Sequence, residues 1–255
     1  MKILILFLII LSMFYLASCD ERMVNGNEVD ISTFYWQLSF SSNFQHFCGA
    51  AMISKRWAIT TAFCAKKTSI HAARVRAGTS KYNSGGTHYG VEWLVPHPRY
   101  DSRDQNYNVG LIMITKDFNE TRRSRPAKLV EANVDLPVGS FVTATGWGSE
   151  TIPGAPMSEN LRAISLHVID NQECLEKNQE LIDVTDKMFC AGSIEDKGKS
   201  VCTGDFGGPV VDENGVLVGL TAFSTRNCTS FPYPNVFTRL ADPEIREFVK
   251  KHTGI

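Results

Sequence analysis

The chain has 255 residues, 43% of them hydrophobic and 21% charged, a globular balance with enough apolar side chains to fill a sizeable core. Its formal net charge is −1, so no global field draws it to nucleic acid or to an anionic membrane, and neither is expected as a partner. Length alone allows one domain or two.

The chain opens with Met1-Lys2, an apolar run over residues 3–16, then Ala17-Ser18-Cys19. A charged start, a short apolar stretch and small residues after it describe a secretory signal peptide, and the run is short for a membrane span. Residues 1–19 are therefore expected to be a signal peptide and the protein to be secreted and extracellular. Leu16-Ala17-Ser18-Cys19 also fits a bacterial lipoprotein cleavage box. Asp20-Glu21-Arg22 reads as a short propeptide (20–22), ending on a basic residue before Met23-Val24-Asn25-Gly26.

From Tyr35 onward the pattern is one of short strands. Residues 36–40 alternate apolar and polar, as a half-buried strand does. Residues 47–53 and 57–61 follow, separated by the polar turn Ser54-Lys55-Arg56, and residues 109–114, 141–145, 164–169, 210–211 and 216–223 are further apolar or β-branched runs. Ser84-Gly85-Gly86, Pro137-Val138-Gly139 and Asn214-Gly215 punctuate them. Many short strands with few helical stretches predict an all-β sandwich or barrel. Residues 120–138 are polar and read as a linker. The last segment differs: Asp242 as cap, Pro243 in the first turn, Glu244 early and Lys250-Lys251 late form a helix signature, with Ile245, Phe248 and Val249 on one face.

Of seven Cys, Cys19 lies at the signal boundary, leaving Cys48, Cys64, Cys174, Cys190, Cys202 and Cys228. No Cys/His spacing suggests zinc, and an even set in a secreted chain reads as disulfides, for which six Cys allow 15 pairings. Residues 77–90 contain no Asp or Glu, so no calcium loop, and no metal or other cofactor, is expected.

The stretch Cys202-Thr203-Gly204-Asp205-Phe206-Gly207-Gly208-Pro209 resembles the Gly-Asp-Ser-Gly-Gly-Pro signature of the trypsin/chymotrypsin-like serine proteases. Further blocks match in order: the 22–26 junction, residues 61–64, residues 109–114, Gly146-Trp147-Gly148, and residues 234–239. The resemblance runs from Met23 to the C-terminus. It implies a trypsin-like domain over 23–255: two six-stranded antiparallel Greek-key β-barrels (the chymotrypsin fold), ending in an α-helix. It also implies the pairings Cys48–Cys64, Cys174–Cys190 and Cys202–Cys228. A new terminus at Met23 would fold inward, its ammonium pairing with Asp205.

The family's catalytic His, Asp and Ser fall, by this resemblance, at Phe63, Asn108 and Phe206. A phenyl ring neither attacks a carbonyl nor accepts a proton, and Asn108 carries no charge to stabilise an imidazolium. No catalytic residue is therefore expected. Gly204 keeps the glycine of the oxyanion-hole turn, which the turn's dihedrals require whatever the chemistry. The specificity pocket maps onto Ser200 at its base, with Ser224 and Asn235 where the family has glycines, so the slot reads as occluded. His46 and His97 match structural positions, whereas His71, His88, His167 and His252 read as exposed polar residues.

Asn119-Glu120-Thr121 is a sequon in the linker and makes Asn119 a glycosylation candidate; Asn227-Cys228-Thr229 is another, beside a half-cystine. The basic run Arg122-Arg123-Ser124-Arg125, with Lys128, reads as a solvated face, the alternative being a site for sulfated glycans or a protein. Within the family the chain most resembles the inactivated serine protease paralogues of scabies mites, relatives of the group 3 mite allergens. That likeness implies a pseudoprotease that binds host or self proteins and interferes with host defence, complement components included. The alternatives are a non-catalytic cofactor of an active protease cascade and a weak residual hydrolase.

Overall fold

The structure, a computed structural model, describes residues 26–149, 156–192, 199–225, 228 and 232–255. The expected signal segment, the 20–22 propeptide, Met23 and Asn227 lie outside the described residues.

A two-residue strand, β1 (Asn27–Glu28), precedes the first barrel. That barrel consists of β2 (Gln37–Ser42), β3 (Gln45–Met52), β4 (Trp57–Thr60), β5 (Ala73–Ala77), β6 (Thr87–Pro96) and β7 (Gly110–Ile114), closed in the order β2-β3-β4-β7-β6-β5. A short helix, α1 (Ala62–Lys66), follows β4, its N-cap Thr61 accepting from the Cys64 N–H. The connector continues into β8 (Lys128–Leu129), which pairs in parallel with a strand of the second barrel.

The second barrel consists of β9 (Phe141–Gly146), β10 (Arg162–Ile169), β11 (Met188–Gly192), β12 (Pro209–Asp212), β13 (Val216–Phe223) and β14 (Asn235–Arg239). Antiparallel pairings run β9-β10-β11-β14-β13-β12 and back to β9, with β1 added on the outer edge of β10. Two further helices are α2 (Asn171–Asn178) and α3 (Pro243–Thr253). Asp242 caps α3 by accepting from the N–H groups of Glu244 (3.0 Å) and Ile245 (3.1 Å), and Gly254 ends it in the left-handed region. Ile245, Phe248 and Val249 are buried against the second-barrel core, as the sequence predicts.

Alternation sets the faces. In β5, Ala73, Val75 and Ala77 point into the barrel and Arg74 and Arg76 point out. β13 is buried along most of its length because it lies between β12 and β14 with β8 alongside. The β2–β3 hairpin turns on Asn43 and Phe44, both at positive φ (48° and 65°), the two-residue turn whose twist suits paired strands.

Three disulfides are present: Cys48–Cys64 ties β3 to α1, Cys174–Cys190 ties α2 to β11, and Cys202–Cys228 joins two loops of the second barrel, with Cα separations of 6.2, 6.2 and 5.0 Å.

The barrels meet backbone to backbone. A Cβ on Gly49 of β3 would lie 2.5 Å from the Gly208 Cα, so only glycine fits there. The Gly49 N–H donates to the Phe206 carbonyl at 2.8 Å, and Thr145 of β9 donates to the Gln37 side chain of β2 at 2.6 Å.

Candidate functional site

The seam brings Phe63, Asn108 and Phe206 together, one from each of three segments. Phe63 sits in the first turn of α1, which Cys64 anchors to β3. Asn108, 2% exposed, lies two residues before β7. Phe206 rides the turn between the Cys202–Cys228 bridge and β12. That turn is built by Gly204 (φ +104°), Gly207 (φ +78°) and the bonds from Asp205 N–H to the Cys202 carbonyl and from Gly208 N–H to the Asp205 carbonyl.

The rings of Phe63 and Phe206 meet edge to face, centroids 6.0 Å apart and planes at 75°. Both are half-buried and pack against the first-barrel core. The Lys67 ammonium lies over the Phe63 ring, 5.0 Å from its centroid. Asn108 Oδ1 accepts from the Phe63 N–H at 3.0 Å, and its Nδ2 donates to Gln105 Oε1 at 3.0 Å. Together the two rings, Gln105, Ala222, Phe223 and Ser224 line a depression of about 150 Å³. At the three positions themselves stand two rings and an amide, with no nucleophile, base or carboxylate among them; the one hydroxyl in the lining, Ser224, donates to the Val201 carbonyl. A larger crevice, about 270 Å³, lies away from it, between the 130–138 segment and Phe189.

His46 is the histidine tied to this turn. It is 6% exposed; Nδ1 shares a hydrogen bond with Ser39 Oγ (2.8 Å) and Nε2 one with the Gly204 carbonyl (3.1 Å). Burial lowers its pKa to about 4, against the carbonyl bond that favours the charged form. The ring packs between Tyr82 and Trp147, and Ser39 is itself 1% exposed. This Ser–His pair is sealed from solvent and has no carboxylate behind it, so it fixes the Gly204 turn. His97 is equally internal, stacked on Tyr107 at 4.7 Å. Of the histidines expected to be exposed, His71 is, but His88, His167 and His252 are half-covered by the aromatic rings of Phe44, Phe141 and Phe248.

Asp205 is fully buried. Its Oδ1 accepts from Gly148 N–H (2.7 Å) and its Oδ2 from Cys202 N–H (2.9 Å). Burial pushes its carboxyl up to about 7, and these two bonds restrain the rise. A Cβ on Gly146 or Gly148 would lie 2.1–2.2 Å from its carboxylate oxygens, so both glycines make room for the acid.

Ser200, Ser224 and Asn235 converge on one backbone segment. Asn235 Oδ1 accepts from Ser200 Oγ (2.8 Å) and from the Val201 N–H (3.2 Å), while Ser224 Oγ donates to the Val201 carbonyl (2.8 Å). Ser200 and Asn235 are buried. Gln105 escaped the sequence reading: nothing in Asp104-Gln105-Asn106 marks it, and it meets Asn108 from a loop position at positive φ (59°). Asn119 is exposed at the end of the β7 segment, its backbone N–H bonded to the Tyr89 hydroxyl at 2.9 Å. Among the described residues no cluster of His, Cys, Asp or Glu could hold a metal ion, and no helix is long and apolar enough to cross a membrane.

Two closed antiparallel barrels with a cleft at their seam define the chymotrypsin fold class. The family model described as Trypsin matches residues 23–246, and the chain belongs to that family. It is 33% identical over 235 residues to Trypsin 5G1 of Aedes aegypti, covering 92% of this chain and 86% of that one. It is 30% identical over 226 residues to Trypsin Blo t 3 of Blomia tropicalis, covering 88% and 84%. Among solved structures, the scabies mite inactivated protease paralogue S-D1 superposes with a TM-score of 0.80 at 23% identity, over 90% of this chain and 97% of that one. Human heparin binding protein superposes at 0.77 and 23%, over 89% and 94%. At those identities the likeness is one of fold.

Proposed function

We propose that this trypsin-family chain is a secreted pseudoprotease that acts by binding other proteins and does not hydrolyse them. The observation that carries the reading is the Phe63–Phe206 ring pair at the barrel seam, with uncharged Asn108 beside it. In the family these positions hold base, nucleophile and orienting acid; here they hold two hydrocarbons and an amide, and losing one such member costs on the order of 10⁴-fold in rate. The bonded Ser200–Asn235 pair supports the same reading, since the family resemblance maps both residues onto the specificity slot, where the pair would narrow it. The likeness to a paralogue named as inactivated agrees with it.

A rigid scaffold that keeps its disulfides and presents varied loops is suited to recognition. We assign it host-defence proteins as partners, complement components first. The test has two arms. Purified protein is exposed to a fluorophosphonate probe and to peptide and ester substrates, then used for affinity capture from host plasma and, separately, from an extract of its own organism. No labelling, no turnover and capture of a complement component is the expected result. Turnover above background would overturn the inactivity, and capture of a protease of the same organism alone would make the chain a cascade cofactor.

A further inference from the structure

The strongest unassigned feature is a charge pattern. Residues 31–91, most of the first barrel, contain seven Lys and Arg and no Asp or Glu, although the whole chain has 26 of the former and 27 of the latter. The outer face of β5 gathers part of this excess. Arg74 and Arg76 point to the same side, and Arg76 is paired across the ladder with His88 of β6. The hydrogen bonds of both guanidinium groups run to backbone carbonyls: Arg74 to His71 and Ala73, Arg76 to Gly85 and Asn83. Their charges thus remain uncompensated. His88 feels them, since burial and then the charges of Arg76 and Arg74 hold its imidazole below the usual range.

One aromatic ring completes the face. Phe44 is 69% exposed and stands at φ +65°, a conformation that favours glycine and is an outlier for so bulky a residue. Its ring meets His88 edge-on (5.7 Å) and lies under the Arg74 guanidinium (5.7 Å). The hairpin fixes the backbone at Phe44 but does not require a ring there, 69% exposed and beside the Arg74 guanidinium.

We propose that Phe44, Arg74, Arg76 and His88 form a binding face for a sulfated, uronate-containing polysaccharide. Arg groups clamp sulfate and carboxylate oxygens, and a flat exposed ring stacks against the C–H face of a sugar. A protein partner fits less well, because hot spots need a desolvated apolar centre, whereas the exposed ring of Phe44 sits against the polar groups of Arg74 and His88. Nucleic acid shares the charge, but three disulfides place the chain in an oxidising compartment where glycans supply the polyanions. The face lies apart from the Phe63–Phe206 depression, so the proposal stands whether or not the protein is inactive.

The test is titration calorimetry of the disulfide-intact protein with a chondroitin sulfate dodecasaccharide at about 50 and about 200 mM salt. Binding should weaken steeply between the two. Arg74→Gln with Arg76→Gln should weaken it about tenfold or more. Phe44→Ala, which removes the ring while keeping a Cβ at the same positive φ, should weaken it about threefold with an unchanged salt slope. Arg122→Gln with Arg125→Gln, on the connector, should change it little. No binding by the wild type, equal affinity for the desulfated sugar, or insensitivity to the Phe44 and Arg variants would each overturn the proposal. Tighter binding of polyglutamate or of single-stranded DNA would reassign the face to that polymer.

Discussion

The amide of Asn108 is used at both ends: its oxygen accepts from the Phe63 N–H at 3.0 Å and its nitrogen donates to Gln105 at 3.0 Å. This ties the first turn of α1 to the segment before β7, a structural task that needs no charge. Asn108→Ala should lower stability by about 1–3 kcal/mol, because an amide N–H loses its acceptor next to a buried site. Urea denaturation checks this, and an unchanged midpoint would mean that the bond contributes nothing.

Phe206→Ser should not restore hydrolysis. The serine would face Phe63, which cannot take its proton, and adding Phe63→His would still leave Asn108 where a carboxylate should fix the imidazole tautomer. In triads altered in this way the rate falls about 10⁴-fold. A fluorogenic ester assay of the single and double variants decides the matter, and fast turnover by the single variant would sink the account.

Benzamidine should not bind the wild type, because the Ser200 hydroxyl is engaged by Asn235 and, among the described residues, no carboxylate bonds to either. Asn235→Gly should free that hydroxyl but cost about 1–3 kcal/mol, since the Val201 N–H and Ser200 hydroxyl lose their acceptor. Thermal melts with and without ligand measure both effects. A benzamidine-dependent rise for the wild type would show the slot to be open.

Asp205 yields a test of the N-terminus. In a chain starting at Met23, a buried ammonium paired with this carboxylate should resist acetylation by acetic anhydride. Asp205→Ala should expose that amine to reagent and lower stability by about 3–5 kcal/mol, leaving one buried charge unpaired. Equal acetylation rates before and after the substitution would exclude the inserted terminus.

His46 makes the fold acid-sensitive. Its pKa of about 4 in the folded chain lies below the ordinary 6.5. Between those values the unfolded state takes up a proton that the native state refuses. Stability from this group is therefore complete above about pH 6.5 and falls as pH drops toward 4, by about 3 kcal/mol in all. Asp205, raised to about 7, acts in the opposite direction over this window when its carboxylate is unpaired. The difference between wild type and His46→Gln isolates the histidine: the variant should lose less stability on acidification. Parallel curves would contradict the assignment.

The strands that alternate cleanly, and the Asp242-Pro243 helix start, were legible from local pattern. β5 was not, because Ala-Arg-Val-Arg-Ala contains a single strong strand former. β6 was not, because a register shift between Val91 and Trp93 breaks its alternation. α2 hid behind polar residues, burying only Cys174 and Asn178, although its cap Asp170 was in plain view. The candidate site was legible through the glycine frame around Phe206. Its other members, Gln105 and the Asn235–Ser200 contact, depend on loop dihedrals and on strand register across the sheet, which no local stretch encodes.

The glycine seam has a consequence for how such chains are detected. Gly49 fits only because Gly208 is bare, Gly207 would put a Cβ 2.1 Å from the Thr60 hydroxyl, and Asp205 fills the space that Gly146 and Gly148 leave. Gly49, Gly207 and Gly208 thus fasten one barrel to the other, a mechanical task that does not depend on the side chain at position 206. A pattern search keyed to that frame scores mechanical joinery and is blind to whether the residue it encloses can react.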